Sequence, residues 1–418
     1  MSGRDFVFEK VAEQNKWRRE CINLIASENV TSSWVDMAYK SDFSHRYAEG
    51  LPYQRGYQGT RVIDELEELA NREFARALGG KKADVRPISG AIANMAAMRA
   101  FTKRGHLLAS LSVPCGAHSS HTKGGVAGGI LGLNTMELPF DAEEWRIDVD
   151  LASKLIECAK PRLAVVGASL IPFPLEIEGI AETCKNVGCP LIYDAAHVFG
   201  LIFSGEFQKP FREGADLITS STHKTFPGPQ GGIIISRDGE GWERVEQAIF
   251  PRILSNHHLH RIPALLVAFY EMREFGRAYS RQVLRNAKRL AESLYDLGFD
   301  VVAEERGFTE SHQVVVDMRK QGGGKEPARK LEKANIILNK NLLPWDDRGA
   351  VENPSGLRIG VQEMTRFGMK RDEMEEIAEL IARVVLKGEE PQKVKKDVIA
   401  LRKEFQQIHY TWEWSNEG

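Results

Sequence analysis

Hydrophobic positions along the chain change their period more than once, and each change marks a different kind of structure. From Glu9 to Cys21 the pattern is helical, and Val62, Ile63, Leu66, Leu69, Ala70 and Phe74 recur at the spacing of an amphipathic helix. From there to about residue 240, short apolar runs alternate with helical patterns: Leu107–Leu111, Leu163–Gly167, Leu191–Tyr193, Leu217–Thr219 and Ile233–Ile235. Runs that are apolar at nearly every position predict strands buried on both faces, hence an open α/β sheet covered by helices. A long helical pattern follows from Pro263 to Leu297 and stops at Gly298. Beyond it, Val301-Val302, Val314–Val316 and Leu357–Ile359, with a helix face of Met374, Ile377, Ile381 and Val384, predict a smaller α+β domain. The expected organisation is an N-terminal helical arm over residues 1–28, a large domain over 29–272 and a small one over 273–418. Tyr410, Trp412 and Trp414 read as a docked terminus rather than a binding stripe.

Composition removes several classes of partner. Among 418 residues, 56 Lys+Arg face 58 Asp+Glu, a net charge of −2. A nucleic-acid reader carries a basic surplus, and a disordered chain carries high net charge with few apolar residues. The longest uncharged glycine-rich run, residues 124–136, is too short to cross a bilayer, and the first residues lack the apolar centre of a secretory signal. Five cysteines (Cys21, Cys115, Cys158, Cys184 and Cys189) form no pair separated by two residues, so neither a disulfide framework nor a zinc knuckle is expected. The expected compartment is reducing, the cytoplasm. The Gln321–Lys325 glycines lack the spacing and hydroxyl of a P-loop, and no strand is followed by a dinucleotide-binding glycine fingerprint, which disfavours a nicotinamide oxidoreductase.

In an open α/β sheet, ligands bind outside the carboxyl ends of the strands, so polar residues that close an apolar run are the first candidates. Asp194 closes one such run and His197 follows it; another runs through Ser220, Ser221 and Thr222 into His223 and Lys224. Taken singly, Asp194 reads as a helix cap and Lys224 as a solvated loop residue. Together they are what a pyridoxal phosphate enzyme needs: an amine to form a Schiff base with the cofactor, and a carboxylate to keep the pyridine nitrogen protonated. Lysine suits the first task because burial lowers its pKa and frees the amine. The phosphate then needs donors, and Ser89 with the amides of Gly90 and Ala91 lies between a strand and a helix, where an anion meets a helix N-terminus. Ser-Gly turns open many helices, so this sign is weak by itself.

An ordered series of motifs carries a resemblance: Ile25-Ala26-Ser27-Glu28-Asn29, Tyr47-Ala48-Glu49-Gly50, Ser89-Gly90 with Ala93-Asn94, Asp194-Ala195-Ala196-His197-Val198, Thr222-His223-Lys224-Thr225, Asn335 through Asn341, and Ser355 through Gly360. In that order, over most of the chain, they resemble serine hydroxymethyltransferase, in wording closest to the archaeal members. The resemblance implies a pyridoxal-phosphate-dependent fold-type-I homodimer with shared active sites, a mostly parallel seven-stranded sheet and a smaller α+β C-terminal domain. The implied reaction moves the serine hydroxymethyl carbon to a reduced pterin, tetrahydrofolate or tetrahydromethanopterin, and leaves glycine. It also implies roles. Lys224 would hold the cofactor covalently beside His223, Asp194 would pair with the ring nitrogen, His197 and Ser169 would reach the ring hydroxyl side, and His118 would stack on the ring. Ser89, Gly90 and Ala91 would take the phosphate. Arg358, supported by Ser27, would grip the substrate carboxylate; Glu49 would handle the serine hydroxyl proton, flanked by Tyr47 and Tyr57. Asn341, Ala117 and Ser119 would meet the pterin. A threonine or other β-hydroxyamino acid aldolase needs the same residues without a pterin, and a non-catalytic cofactor-binding dimer is a further alternative.

Departures from the family pattern concentrate in loops. Ala91 replaces a common serine, Gln230 an arginine, Gly56 a bulky residue, and Cys115 an acidic or histidine residue. Where a glycine-rich phosphate loop is usual, Arg252 replaces a glycine and the chain continues to Ser255-Asn256-His257-His258-Leu259-His260. Three histidines invite a metal reading, but no acid or cysteine lies near them in sequence, so a metal is not expected; the Ser-Asn-His-His-Leu-His wording instead resembles archaeal members of the family, and the resemblance implies a loop that can offer donors to a partner's phosphate.

Overall fold

The computed structural model describes residues 2–413; Trp414 lies outside them. They fall into two compact units, Asn29–Ser280 with residues 410–413, and residues 2–28 with Arg281–His409. The N-terminal segment therefore groups with the C-terminal residues, and the division falls at Ser280, inside the helix Arg261–Asp296, rather than at 272.

The larger unit is built on seven strands: β1 (Lys82–Asp84), β2 (Leu107–Ser110), β3 (Asn134–Glu137), β4 (Leu163–Gly167), β5 (Leu191–Asp194), β6 (Leu217–Ser221) and β7 (Gly232–Ser236). Their order is β1-β7-β6-β5-β4-β2-β3. Only β7 runs against its neighbours β6 and β1; the β6-β5, β5-β4, β4-β2 and β2-β3 pairs are parallel. Strands β4 to β7 are buried at every residue, which is why they read as unbroken apolar runs. The edge strands β1 and β3 carry polar side chains at exposed positions and gave no such run. One face of the sheet is covered by the alanine-rich helix Gly90–Phe101, whose small side chains sit close to Leu108, Val165, Ile192, Leu217 and Ile234. An aromatic cluster of Phe74, Phe199, Phe203, Phe226 and Phe269 fills a second part of the core.

Connectivity reverses between β2 and β4: from β2 the chain steps outward to β3, then returns to build β4, β5 and β6 on the other side. Such a switch point opens a crevice at the carboxyl ends of the strands. The residues that follow β2, β4, β5 and β6 carry the candidate chemistry.

The smaller unit holds a four-stranded antiparallel sheet of Asp300–Val301, Gln313–Asp317, Gly356–Gly360 and Asn339–Asn341, in that spatial order. Helices Lys325–Lys333, Arg371–Val385 and Pro391–Glu404 accompany it, and Ile22–Asn23 pairs in parallel with Ile336–Ile337.

Candidate active site

Asp194 ends β5 with 5% of its surface exposed, and three donors converge on it. Its Oδ2 accepts from Asn94 Nδ2 at 2.7 Å and lies 3.0 Å from His121 Nε2, while Oδ1 accepts from the Ala196 amide at 3.0 Å. Burial alone would push this carboxyl up. The hydrogen bond and charge of His121, the charge of His118 and the Asn94 bond outweigh it and hold Asp194 well below the usual carboxylate range. Asn94 is oriented in turn, because Thr219 Oγ1 donates to its Oδ1 at 2.6 Å. Gly167 closes β4 at φ +122°, and a Cβ there would run into the Asp194 carbonyl, so the strand end tolerates no side chain.

His118 stands three residues before His121, with the rings 6.2 Å apart. The Ser120 amide donates to His118 Nδ1 at 3.2 Å. Ala117 is buried and Ser119 is exposed. Together Ala91, His118, Ser119, Ser120, Gly124 and Gly125 line a cavity of about 400 Å³. Ser169 is tied to the same turn through its amide, which donates to the Gly116 carbonyl at 2.6 Å.

The lysine loop leaves β6 and folds on itself. Thr222 Oγ1 donates to the Pro229 carbonyl at 2.7 Å, and Thr225 Oγ1 to the carbonyl of the buried His197 at 2.8 Å. Lys224 is half-buried, and its carbonyl accepts from Asn29 Nδ2 at 2.6 Å. Burial and the charges of Lys224 and Arg261 pull the His223 imidazole down to about 4, so it is neutral at pH 7; its Nδ1 is buried with no partner. Ser89 caps the helix Gly90–Phe101 by accepting from the Ile92 amide at 3.2 Å. A Cβ on Gly90 would lie 2.5 Å from Ser221 Oγ, so the helix N-terminus and the end of β6 meet as closely as backbone permits.

These features fit pyridoxal phosphate. Asp194 is an ionised carboxylate with a lone pair to spare on Oδ1 for a ring N–H. An amine and a helix N-terminus belong to the same end of the same sheet.

The remaining expected residues have contacts of their own. Tyr47 and Tyr57 are 48% and 44% exposed with rings 5.1 Å apart, and Glu49 between them accepts from Ser255 Oγ. Ser27, Arg358 and Asn341 belong to the smaller unit. There Arg358 Nε donates to Asn339 Oδ1 at 3.1 Å, and burial pulls its guanidinium down to about 10. The turn bearing Ser27 is held by Gln362 Nε2, which donates to the carbonyls of Ile25 at 2.8 Å and Glu28 at 2.6 Å. Asn341 donates only locally, to the Leu342 carbonyl. Sequence reasoning assigned no role to His121, Asn94, Thr219 or Asn29. Asn94, one helical turn after the Ser-Gly cap, and His121, three residues after His118, carried the available signal.

Comparison with known proteins agrees with this geometry. A family model described as serine hydroxymethyltransferase matches residues 3–381. The serine hydroxymethyltransferase of Aeropyrum pernix is 52% identical over 97% of this chain and 92% of its own length. That of Staphylothermus marinus is 48% identical over 98% and 94%, and that of Pyrococcus abyssi 49% over 98% and 97%. With the family model spanning most of the chain and identities near one half at nearly full coverage, the chain belongs to the serine hydroxymethyltransferase family.

Proposed function

We propose that this chain interconverts serine and glycine, passing the hydroxymethyl carbon to and from a reduced pterin, with pyridoxal phosphate as cofactor. The observation that carries the reading is Asp194, a buried carboxylate held ionised at the carboxyl end of β5. When bound, the cofactor supplies an acceptor for the electron pair left on the substrate Cα as the hydroxymethyl carbon departs.

The protein's own groups do the rest. Asp194 keeps a proton on the ring nitrogen, and Asn94 and His121 keep Asp194 charged. Lys224 would offer Nζ as the amine that anchors the cofactor. His118 would cover the ring, and Ser169, His197 and His223 would border it. Ser89 with the amides of Gly90 and Ala91 receives the phosphate. Arg358 takes the substrate carboxylate in the bidentate geometry that a guanidinium allows and an ammonium does not, with Ser27 in support. Glu49 accepts the proton from the serine hydroxyl, between Tyr47 and Tyr57. Ala117, Ser119 and Asn341 face the pterin.

The working form in this reading is a cytoplasmic homodimer with shared sites. The helix Gly3–Arg19 has no buried residue and exposes Phe6, Val7, Phe8 and Val11, an apolar surface for a second copy to cover. All five cysteines are free, and no helix among the described residues is long and apolar enough to cross a membrane. Serine turnover measured side by side with tetrahydrofolate and tetrahydromethanopterin tests the function. Turnover that needs pyridoxal phosphate and responds to at least one pterin is expected. Cleavage of β-hydroxyamino acids indifferent to both pterins would make the protein an aldolase instead.

A further inference from the structure

The loop that departs most from the family pattern, Ser255–His260, is wired to Glu49. Its three histidines point to different partners. His257 Nε2 lies 2.8 Å from Glu67 Oε2, whereas His258 and His260 stack at 6.0 Å and His260 meets the Tyr39 ring edge-on at 4.5 Å. Glu67, in the helix Arg61–Leu78, is wholly buried and also receives Arg55 Nη2 at 2.9 Å. One carboxylate thus anchors two loops.

The same two loops meet again at Glu49. Arg55 Nη1 donates to the carbonyls of Ala48 at 3.2 Å and Gly50 at 2.5 Å, and its Nε holds Asp64 at 2.8 Å. Arg86 Nη1 adds a bond to the Gly50 carbonyl at 3.1 Å. On the opposite side the Ala48 amide donates to Asn256 Oδ1 at 2.9 Å, and Ser255 Oγ donates to Glu49 Oε1. Gly50 sits at φ +100°, and a Cβ there would meet the Gln54 carbonyl at 2.8 Å, so the turn after Glu49 requires glycine. The backbone at Glu49 is clamped on both sides, and its carboxylate has a fixed donor.

We propose that Ser255 and Asn256, anchored by His257 on Glu67, are positioning residues that aim the Glu49 carboxylate for proton transfer with the serine hydroxyl. This rests on the role given to Glu49 above. A displacement of about 1 Å in a reacting group can cost about a hundredfold in rate, which gives such a clamp its catalytic value.

Ser255 is exposed, so Ser255→Ala removes one hydroxyl without opening the core. In the cofactor-loaded full chain, kcat for serine cleavage falls about tenfold or more while KM for serine and cofactor affinity stay within about threefold. Exchange of the glycine α-proton, which needs no hydroxyl proton transfer, is unchanged, and Ser255→Thr restores most of kcat. Hydrogen exchange of residues 47–56, read without any turnover, speeds up in Asn256→Ala. An unaltered kcat in Ser255→Ala, equal losses in serine cleavage and glycine exchange, or unchanged hydrogen exchange in Asn256→Ala would overturn the proposal. Absence of serine turnover in the unmodified protein would instead count against the functional reading, and the exchange measurement would still judge the clamp.

Discussion

Two carboxyl groups, one in each unit, are buried to nearly the same extent and end in opposite states. Asp194 is 5% exposed and Glu363 4%. Asp194 accepts from Asn94, His121 and a backbone amide, and is held ionised far below the ordinary range. Glu363 is pushed up to about 7 by burial, assisted by the neighbouring Glu28 charge, with Arg18, Asn23 and Arg402 too weak to reverse it. Burial is common to both. The strength of the surrounding donors and positive charge decides the outcome: His121 and Asn94 outweigh burial at Asp194, whereas Asn23, Arg18 and Arg402 do not at Glu363.

Activity gives the largest contrast. Asp194→Asn lowers serine turnover by about a hundredfold or more, the scale of losing one pre-organised electrostatic partner, whereas Glu363→Gln leaves it within about threefold. Steady-state kinetics at saturating cofactor check both, and equal losses would erase the distinction.

Stability against pH gives the next contrast, with opposite signs. A raised carboxyl such as Glu363 favours the folded state most below its unfolded pKa of about 4.3, and that contribution is lost as pH rises through about 7. Glu363→Gln therefore gains up to about 3 kcal/mol over the natural chain at pH 8 and little at pH 4. A depressed carboxyl such as Asp194 stabilises above its unfolded pKa of about 3.9, and the benefit drains away as pH falls below it. Asp194→Asn accordingly flattens the acid side of the profile. Denaturant unfolding from pH 3 to pH 8 reads both slopes, and a Glu363→Gln gain independent of pH would contradict the assignment.

The smallest effect concerns the donors. Asn94→Ala leaves Asp194 in place with one side-chain bond fewer, and turnover falls about tenfold. A loss as deep as that of Asp194→Asn would mean that Asn94 acts on substrate directly rather than through the carboxylate.

The legible parts of the molecule were those whose signal is local. Strands β4 to β7 are buried at every residue and were read as apolar runs; Asp194 was read because it closes one, and Lys224 because it lies on the polar loop after another. Edge strands β1 and β3 were illegible because exposure permits polar residues there. His121 and Asn94 contact Asp194 across 73 and 100 residues of sequence, and no local pattern encodes such a meeting. The three-histidine loop was ambiguous for the same reason, since its anchor Glu67 lies on a remote helix.

The central claim is that the end of β5 and the loop after β6 form a pyridoxal phosphate site with Lys224 as its anchor. Borohydride reduction of the cofactor-loaded protein, followed by peptide mass spectrometry, tests it most directly. The account predicts one phosphopyridoxyl group, on Lys224, and none in Lys224→Ala. A label on another lysine, or none on either protein, would contradict it.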